Sequence, residues 1–415
     1  MRIALVAEGT RGDIHPMLAL GTSLMAAGHT VRLCASPDFA DVAKATGVEF
    51  VPVGENVRAF LTGAAESLHG RGVGLVRQMT VWGERSLAHQ FRVLPEATAD
   101  VDYVLAAGTV FGAASMAELH GIPFRYVAYT PALLPSREHS PAMFPFQVRA
   151  RWANGMLWRA AVTAMNAMVG RRLNAHRHRL GLPPLEDLIS HVLSKRTIVA
   201  VDRALAAMPA DCPVAHDQIR CLHPFEPEAL PADLERFLDA GPPPVHFGFG
   251  SMTDPDPATT TGRLLEAIGR LGCRALVERG WAGLGDGPLP EGVMAIDPVP
   301  HASLFPRLAA VVHHGGAGTT HTAARAGVPQ IVVPHVLDQF YFARRVRSLG
   351  VGPAPIPRAS LSVRRLAAAV RDTLESQDLS ARAADLAQRL ADLGPVRPDV
   401  DRLLDPLPGR SHAAA

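Results

Sequence analysis

The stretch AVVHHGGAGTTHTAARAGVPQIVVPHVLDQFYFARRVRSLG, residues Ala310 to Gly350, decides the fold of this chain. It predicts two strand–turn–helix units in a row. The first unit has an apolar strand that ends at Val312 and a glycine-rich turn. Thr319 or Thr320 is then a favourable cap for a helix that stops before Gly327.

The second unit of this stretch repeats the pattern. An apolar strand runs from Gln330 to Pro334, and the following helix opens at Asp338-Gln339 and ends at Gly350. Strands that alternate with helices over such short spacings are typical of a parallel sheet covered by helices on its faces. The pattern therefore predicts an α/β fold.

The turn between the first strand and helix combines glycines with a histidine. Gly315, Gly316 and Gly318 allow the backbone to come close to a ligand, and the helix that follows leaves free N–H groups at its start. His314 adds a side-chain donor at the end of the strand. These features predict an anion site, typically for phosphate. On the glycines alone, an ordinary strand-to-helix turn explains the pattern equally well.

The start of the chain predicts another unit of the same kind. Ile3–Ala7 is expected as a strand, the turn covers residues Glu8–Asp13, and the helix is expected over Pro16–Ala27. A second strand follows over Thr30–Ala35. In open α/β sheets ligands bind at the carboxyl ends of the strands, which is where this turn lies.

Three segments carry a resemblance to a known family. They are HHGGAGTTHTAARAGVPQIVVP with its nearby DQ, EGTRGDIHPMLALG from Glu8 to Gly21, and GPPPVHFGFGSM from Gly241 to Met252. The chain resembles nucleotide-sugar-dependent glycosyltransferases of the GT-B fold. Within them it is similar to bacterial enzymes that glycosylate antibiotics and to sterol glucosyltransferases. The resemblance implies two Rossmann-like domains that face each other across a cleft, with a C-terminal helix crossing back to the first domain.

Asp13 is the residue for which the resemblance implies catalysis. Many relatives carry histidine in a GHxxP pattern, whereas this chain reads Gly12-Asp13-Ile14-His15-Pro16. Asp13 therefore matches the branch with aspartate, and the resemblance implies that it deprotonates the acceptor hydroxyl. Aspartate is also a favoured helix-capping residue, and a cap and a base are compatible roles.

The resemblance also implies the residues that bind the donor. His314, together with backbone N–H groups near Gly316, Gly318 and Thr319, is expected to hold the diphosphate. Sugar hydroxyls are assigned to Asp338 and Gln339. The remaining expected donor contacts are Thr10, Arg11, Gly12, Ser251, Met252 and Val299.

No metal and no cofactor are expected. Asp254-Pro255-Asp256 has the DxD form of metal-dependent transferases of another fold. Proline between the acids in a loop favours a simple turn. His314 and a helix N-terminus supply an alternative means of neutralising the diphosphate.

The domain organisation follows from the position of a proline-rich segment. We expect an acceptor-binding Rossmann-like domain over 1–222, a linker over 223–243 and a donor-binding Rossmann-like domain over 244–395. Two helices are predicted between Leu361 and Leu393. Residues 396–415 are assigned to a C-terminal tail, of which Pro406–Ala415 is expected to be disordered.

Composition narrows the function classes. The 41 basic residues nearly balance 39 acidic ones, which favours neither nucleic acid nor an anionic membrane as a partner. Four scattered cysteines indicate thiols rather than a disulfide or zinc framework. No signal peptide and no apolar run long enough to span a bilayer are present, so we expect a cytoplasmic protein without membrane insertion.

The acceptor is expected between about Arg58 and Leu193, where no motif matches. Residues Leu133–Gln147 are predicted to be a loop. A long helix after it carries Trp152, Met156, Leu157, Trp158, Met165 and Met168. Core packing is the simpler interpretation of these side chains, and an adaptable surface for a bulky apolar acceptor is the alternative.

The sequence therefore predicts an inverting glycosyltransferase that uses a UDP- or TDP-sugar and a hydrophobic natural-product acceptor of polyketide or glycopeptide type. A donor with an α-linked sugar would give a β-glycoside. The alternatives are a sterol or lipid glucosyltransferase, a nucleotide-sugar epimerase of the same fold, and a non-catalytic auxiliary protein. A Rossmann dehydrogenase would need a GxGxxG turn, which the first turn lacks.

Overall fold

The computed structural model describes residues 1–63, 73–222, 228–394 and 403–404. These residues form two parallel β-sheets, each covered by helices. The architecture confirms the predicted α/β fold with two Rossmann-like parts.

The first sheet has seven strands in the order β3-β2-β1-β4-β5-β6-β7. The third strand in this order, β1, is almost continuously apolar and buried, as expected where helices cover both faces of a parallel sheet. Leu5 pairs with Leu33 on one side and with Leu105 on the other. The strands are β1 (Arg2–Glu8), β2 (Thr30–Ala35), β3 (Glu49–Pro52), β4 (Tyr103–Gly108), β5 (Phe124–Ala128), β6 (Thr197–Ala200) and β7 (His216–Ile219).

The second sheet has five strands in the order β10-β9-β8-β11-β12, all parallel. The strands are β8 (Val245–Gly248), β9 (Ala275–Glu278), β10 (Val293–Ile296), β11 (Ala310–His313) and β12 (Gln330–Val332). The first sheet ends before residue 222 and the second begins after residue 244, which is compatible with the expected domain ranges.

The helices are numbered in chain order through both parts. The first part contains α1 (Arg11–Ala26), α2 (Ala40–Thr46), α3 (Val57–Gly63), α4 (Val73–Ala97), α5 (Ala113–His120), α6 (Arg151–Met165), α7 (Arg171–Arg179), α8 (Leu188–Leu193) and α9 (Arg203–Ala206). A π-helical turn, Asn166–Gly170, joins α6 to α7. Short 3₁₀ turns lie at Pro37–Phe39 and Pro131–Leu133.

The second part contains α10 (Ala232–Asp239), α11 (Pro257–Leu271), α12 (His301–Leu304), α13 (Ala317–Arg325), α14 (Gln339–Leu349), α15 (Val363–Glu375) and α16 (Gln377–Ala391), with 3₁₀ turns at Phe305–Arg307 and Arg358–Ser360. The predicted pair of C-terminal helices is confirmed by α15 and α16. No helix in the described ranges is long and apolar enough to cross a membrane.

The first helix starts earlier than the sequence predicts. It begins at Arg11 rather than Pro16, so Asp13 lies in its first turn and not in a loop. The Thr10 backbone N–H donates to Asp13, and the Thr10 hydroxyl accepts a backbone N–H in return. This capping box stabilises the early start. Pro16 is tolerated inside the helix at the loss of one backbone hydrogen bond.

The helix after the glycine-rich turn also starts earlier than predicted. Gly316 is its N-terminal cap residue, so neither Thr319 nor Thr320 caps it. The Thr320 hydroxyl instead donates to the Gly316 carbonyl at 2.8 Å. The cap position is occupied by glycine because a side chain there would collide with His314, as described below.

The C-terminal helix returns to the first part, as predicted. Arg220, next to β7, donates to the carbonyls of Leu390 and Gly394 at 3.0 and 2.9 Å. The predicted tail of residues 396–415 lies outside the described residues except for Leu403 and Leu404. Both are buried in the apolar core of the first part. The stretch expected to be disordered, Pro406–Ala415, lies outside the described residues.

A buried carboxylate links the two parts. Asp202 is fully buried and accepts hydrogen bonds from Arg220 and, at 2.7 Å, from Arg325 of α13. Its backbone N–H donates to Nε2 of His321 at 3.3 Å. Burial opposes ionisation, but the charges of His321, Arg325 and Arg220 outweigh it and hold the pKa of Asp202 below its usual value.

We expect Asp202→Asn to lower the free energy of unfolding by about 3 kcal/mol, because two partly buried arginines lose their buried counter-charge. In wild type this contribution is present above the unfolded-state pKa of about 3.9 and is lost as the pH falls through the lower folded-state pKa. Urea unfolding at several pH values measures it. Asp233→Asn, on exposed α10, is the matched control and should change little. Equal stability of the two variants would contradict the assignment.

Candidate functional site

The N-termini of three helices, α1, α13 and α14, meet between the two sheets. Ala317, at the start of α13, packs against apolar residues of the first part. The start of α14 lies over the glycine-rich turn, because a Cβ built on Gly315 would come within 3.0 Å of the Gln339 carbonyl oxygen. Backbone donors of both parts therefore face one region.

Asp13 occupies the first turn of α1. Its Oδ2 accepts the Thr10 backbone N–H at 2.9 Å, so the capping role expected for it is confirmed. Two glycines make room for its carboxyl group. A Cβ on Gly9 would lie 2.0 Å from Oδ2, and one on Gly108 would lie 3.2 Å from Oδ1. Tyr129 donates to the Asp13 carbonyl at 3.1 Å, which holds this turn against β5.

Burial raises the pKa of Asp13 to about 6, and the hydrogen bond from Thr10 opposes this rise only in part. The same carboxyl group raises the pKa of Asp338, at the start of α14. Burial raises that pKa to about 7, with the nearby charge of Asp13 as the second cause. Two carboxyl groups from different parts thus share one poorly solvated space, and they titrate as a pair.

Gln339 connects the loops of the second part. Its Oε1 accepts the backbone N–H groups of His335 and Val336 at 2.8 and 3.1 Å. Its Nε2 donates to the sulfur of Met252 at 3.2 Å. The second Nε2 hydrogen of Gln339 remains able to donate to a ligand. The sugar contacts expected of Gln339 and Asp338 stay predictions.

His314 lies between two glycine turns. A Cβ on Gly316 would come within 2.4 Å of its Nε2, and one on Gly250 within 3.2 Å of its Cε1. Burial lowers the pKa of His314 to about 4, which the charge of Glu278 opposes and that of His301 assists. At neutral pH the imidazole is therefore uncharged. Its buried Nδ1 has no hydrogen-bond partner among the described residues.

The first turn of α13 supplies the backbone donors predicted for the diphosphate. The N–H groups of Ala317, Gly318 and Thr319 have no carbonyl partner within the helix, because an α-helix cannot satisfy its first N–H groups. They start directly after His314 and Gly316. An uncharged imidazole and a helix N-terminus are thus placed side by side.

The other expected donor residues lie on three loops. Thr10, Arg11 and Gly12 form the cap and first turn of α1. Ser251 is buried in the loop after β8. Val299 is half-buried and packs against the apolar cluster that includes Leu304 of α12. Nothing in the geometry opposes their expected roles, which remain predictions.

The loop after β8 also touches the first part directly. The Thr253 hydroxyl donates to the Leu61 carbonyl of α3 at 3.2 Å. Asp254 is buried and pairs with Arg358 at 2.6 Å, while Asp256 caps α11 by accepting the Thr259 N–H at 3.0 Å. Both acids are thus engaged in local structure, in agreement with a simple turn.

Sequence reasoning missed a cluster of His246, Glu278 and His301 close to His314. Nε2 of His246 and of His301 lies 3.1 and 2.9 Å from Oε2 of Glu278. Burial would raise the pKa of Glu278, but the two histidines outweigh it and hold that pKa far below its usual value. The three side chains offer a ligand set that could hold a metal ion.

The surroundings of this cluster favour hydrogen bonds over a metal. A histidine that binds a metal through Nε2 carries its proton on Nδ1 and normally donates it to a partner. Nδ1 of His246 is buried and has no such partner among the described residues. With the proton on Nε2, His246 donates to Glu278 and leaves only an acceptor unpaired.

Two further polar groups received no role from the sequence, although both stand in the segments that carry the resemblance. Glu8, buried at the end of β1, accepts hydrogen bonds from Ser86 and Gln90 of α4 at 2.5 and 2.7 Å. Burial, the largest cause, raises the pKa of Glu8. His313 is fully buried, and its Nδ1 accepts the Gly315 N–H at 3.1 Å, which fixes the glycine-rich turn.

Comparison with known proteins agrees with this arrangement. Residues 3–135 match the glycosyltransferase family 28 N-terminal domain, and residues 263–399 match the C-terminal domain of erythromycin biosynthesis protein CIII-like proteins. The glycosyltransferase GtfE of Amycolatopsis orientalis is 37% identical over 366 residues, which cover 85% of this chain and 86% of that protein. The vancomycin aglycone glucosyltransferase of the same organism is 38% identical over 374 residues, covering 86% and 87%.

A plant protein and two solved structures extend the comparison. A sterol 3-beta-glucosyltransferase of Arabidopsis thaliana is 31% identical over 445 residues, covering 98% of this chain and 68% of that protein. The glycosyltransferase VinC in complex with dTDP superimposes with a TM-score of 0.71 at 21% identity, covering 97% and 98% of the chains. The glycotransferase of kitacinnamycin gives 0.70 at 22% identity, covering 97% of each.

The solved structures confirm the GT-B fold, and the relatives show the family. The chain belongs to the glycosyltransferases, within the group of bacterial antibiotic and sterol glycosyltransferases.

Proposed function

We propose that the protein is an inverting glycosyltransferase, which moves a sugar from a nucleotide diphosphate to a hydroxyl of a hydrophobic natural product in the cytoplasm. The observation that carries this proposal is the meeting of Asp13 with the anion-binding turn of His314. A carboxylate of raised pKa faces a helix N-terminus across the space between the two sheets.

Asp13 acts as the general base. The acceptor oxygen attacks the anomeric carbon from the side opposite the diphosphate, its proton passes to the Asp13 carboxylate, and the bond to the diphosphate oxygen breaks. The raised pKa strengthens the base near neutral pH. Holding both substrates in one cleft supplies a further part of the rate enhancement.

His314 and the first N–H groups of α13 receive the departing diphosphate. The imidazole begins uncharged and donates one hydrogen bond, and the incoming negative charge raises its pKa. The helix N-terminus adds oriented N–H dipoles in a poorly solvated site. A resident metal ion is not needed in this account.

The donor is a UDP- or TDP-sugar in this proposal. Ser251 and Met252 line its phosphates, Val299 presents its backbone to the base, and Asp338 with Gln339 binds sugar hydroxyls. Thr10, Arg11 and Gly12 close the donor site from the first part. Asp338 stays close to Asp13, so a sugar bound between them would separate the two carboxyl groups.

The acceptor is a polyketide or glycopeptide aglycone. The relative named vancomycin aglycone glucosyltransferase, at 38% identity, supports this class. A sterol or other lipid is the second candidate, supported by the sterol glucosyltransferase that matches 98% of the chain. Mass spectrometry of donor and aglycone panels would distinguish the two classes.

Replacing His314 by alanine tests the leaving-group site. We expect His314→Ala to weaken the binding of nucleoside diphosphate by about 1.5–3 kcal/mol, the worth of a hydrogen bond to a charged group. Titration calorimetry with UDP and TDP measures this change. His314→Gln, which keeps an N–H donor, should retain part of the affinity. Unchanged affinity of the alanine variant for both ligands would remove His314 from the site.

Asp13→Asn keeps the shape and capping ability of the side chain but removes the base. We expect transfer to fall by about 10²–10⁴-fold while donor binding and melting temperature stay nearly unchanged. In wild type, kcat/KM should decline as the pH falls through about 6, because the protonated carboxyl cannot accept a proton. The asparagine variant should lose this dependence.

Asp41→Asn, on exposed α2, is the control for the Asp13 variant and should leave the rate unchanged. A fully active Asp13→Asn enzyme would reduce the residue to a helix cap. Early melting with a proportional loss of activity would make its role structural.

Chelation tests the expected independence from metal. We expect activity to persist in excess EDTA, because Asp254 and Asp256 are engaged by Arg358 and the Thr259 N–H. Loss of activity that magnesium or manganese restores would instead support a metal at these acids. Restoration by zinc alone would point to His246, Glu278 and His301.

A further inference from the structure

Charge is distributed unevenly along the first part of the chain. The whole protein has a formal net charge of +2, yet residues 139–185 contain seven arginines and no aspartate or glutamate. This segment covers the end of the loop after β5, helix α6, the π-helical turn and α7. Arg151, Arg172 and Arg177 pair with acids outside the segment, and Arg177 is buried. The other four, Arg149, Arg159, Arg171 and Arg179, are exposed and form no ion pair with a carboxylate in the described part of the chain, so they leave a local excess of positive charge.

The same segment exposes large apolar side chains. Trp152 and Met156 are 72% and 61% exposed, more than any other large apolar side chain of the described residues. The expectation that they pack into the core is thus wrong, whereas Trp158 on the same helix is buried. Three more exposed apolar residues of the segment are Met143, Phe146 and Met168.

The helix geometry places Trp152 and Met156 on one face together with an arginine. Trp152 and Met156 are four residues apart on α6, and Arg159 follows three residues later, so the three share one side of the helix. Arg149 lies just before the helix and, like Arg159, is exposed. Neither arginine forms an ion pair with a carboxylate in the described part of the chain.

We propose that this α6 face docks on the surface of an anionic lipid bilayer. A helix that lies flat on a protein, with tryptophan outward and arginines beside it, has the composition of interfacial membrane-binding helices. The arginines would meet lipid phosphates, and Trp152 with Met156 would enter the boundary between headgroups and acyl chains. No membrane-spanning segment is involved.

A groove between α4 and α7 also carries a basic excess. It has a volume of about 540 Å³. Arg85, Arg92 and Arg179 line it together with one acid, Glu55, and the ring of Phe91 stacks on His176 at 5.0 Å within it. Arginines on α7, the next helix along the chain, thus add to the basic character of this part of the protein.

The docking face is connected to the active site by the loop that precedes it. Tyr129, at the start of this loop, donates to the Asp13 carbonyl, and His139 packs edge-on against Tyr341 of α14 at 5.5 Å. Arg344 of α14 donates to the Val148 carbonyl at 3.3 Å. The loop therefore runs from beside Asp13, the proposed base, to the helix face that would contact the bilayer.

Vesicle binding of the full-length protein tests this proposal without donor or acceptor, so it is independent of the proposed activity. We expect the protein to co-sediment with phosphatidylcholine vesicles that contain about 30% phosphatidylglycerol. It should bind pure phosphatidylcholine much more weakly. Raising the salt concentration should release it, because Debye screening weakens attraction to the surface.

Two sets of variants locate the binding face. Each arginine near an anionic surface contributes about fivefold, so Arg149→Glu with Arg159→Glu should weaken binding by about 25-fold or more. Trp152→Ala should weaken it by about tenfold through lost apolar burial. All these side chains are exposed, and melting temperatures should stay near wild type.

Variants of the exposed face of α15 serve as controls. Arg371→Glu and Leu374→Ala change the same residue types away from α6 and should bind as wild type does. The proposal is overturned if wild type ignores anionic vesicles, which would leave an acidic protein as the occupant of this face. It is equally overturned if the α6 and α15 variants bind alike.

Discussion

The site depends on keeping two carboxyl groups in a poorly solvated space, where no cation of the described residues pairs with either of them. Asp13 comes from the first sheet and Asp338 from the second, and each raises the free energy of ionising its neighbour. Helix N-termini make this arrangement possible, because their N–H dipoles stabilise negative charge where an arginine would block the substrate. Close contact between the parts is therefore coupled to the pKa values on which proton transfer depends.

Other buried acids show what the protein does with carboxylates that only support structure. Asp202 lies between Arg220 and Arg325, Asp254 pairs with Arg358, and Glu278 accepts from two histidines. Each of these charges has a donor or cation within contact distance, as buried charges require. Asp13 differs from them, since among the described residues its carboxyl group accepts only the Thr10 N–H of its own turn. That difference marks it as a group available to a substrate.

Much of this fold follows from local sequence, and the errors have identifiable causes. Apolar runs and glycine stops predicted β1, β11 and their helices, because those signals act between neighbours in the chain. The start of α1 was misplaced because Pro16 was read as the first helical residue, while the Thr10–Asp13 capping box acts further upstream. The start of α13 was misplaced because threonine is a good cap, whereas the ring of His314 leaves room only for glycine at position 316.

The candidate site was predictable where a residue lies in a motif and unpredictable where only folding brings residues together. Asp13 and His314 belong to recognisable segments. Glu278 reaches His301 across 23 positions, and Glu8 reaches Ser86 across 78, so no spacing rule connects them. The same limit applies to the exposure of Trp152, because helical periodicity shows which residues share a face but not whether another element covers it.

Net charge is the least informative of the sequence signals for this protein. A sum of +2 suggests no charged partner, but electrostatic attraction to a surface falls off within about 8–10 Å in salt. A partner at α6 therefore interacts with the local arginines and not with the distant acids that cancel them in the total. The arginines of 139–185 that pair with no carboxylate in the described part of the chain, Arg149 and Arg159 among them, therefore bear on what this face can bind more than the total does.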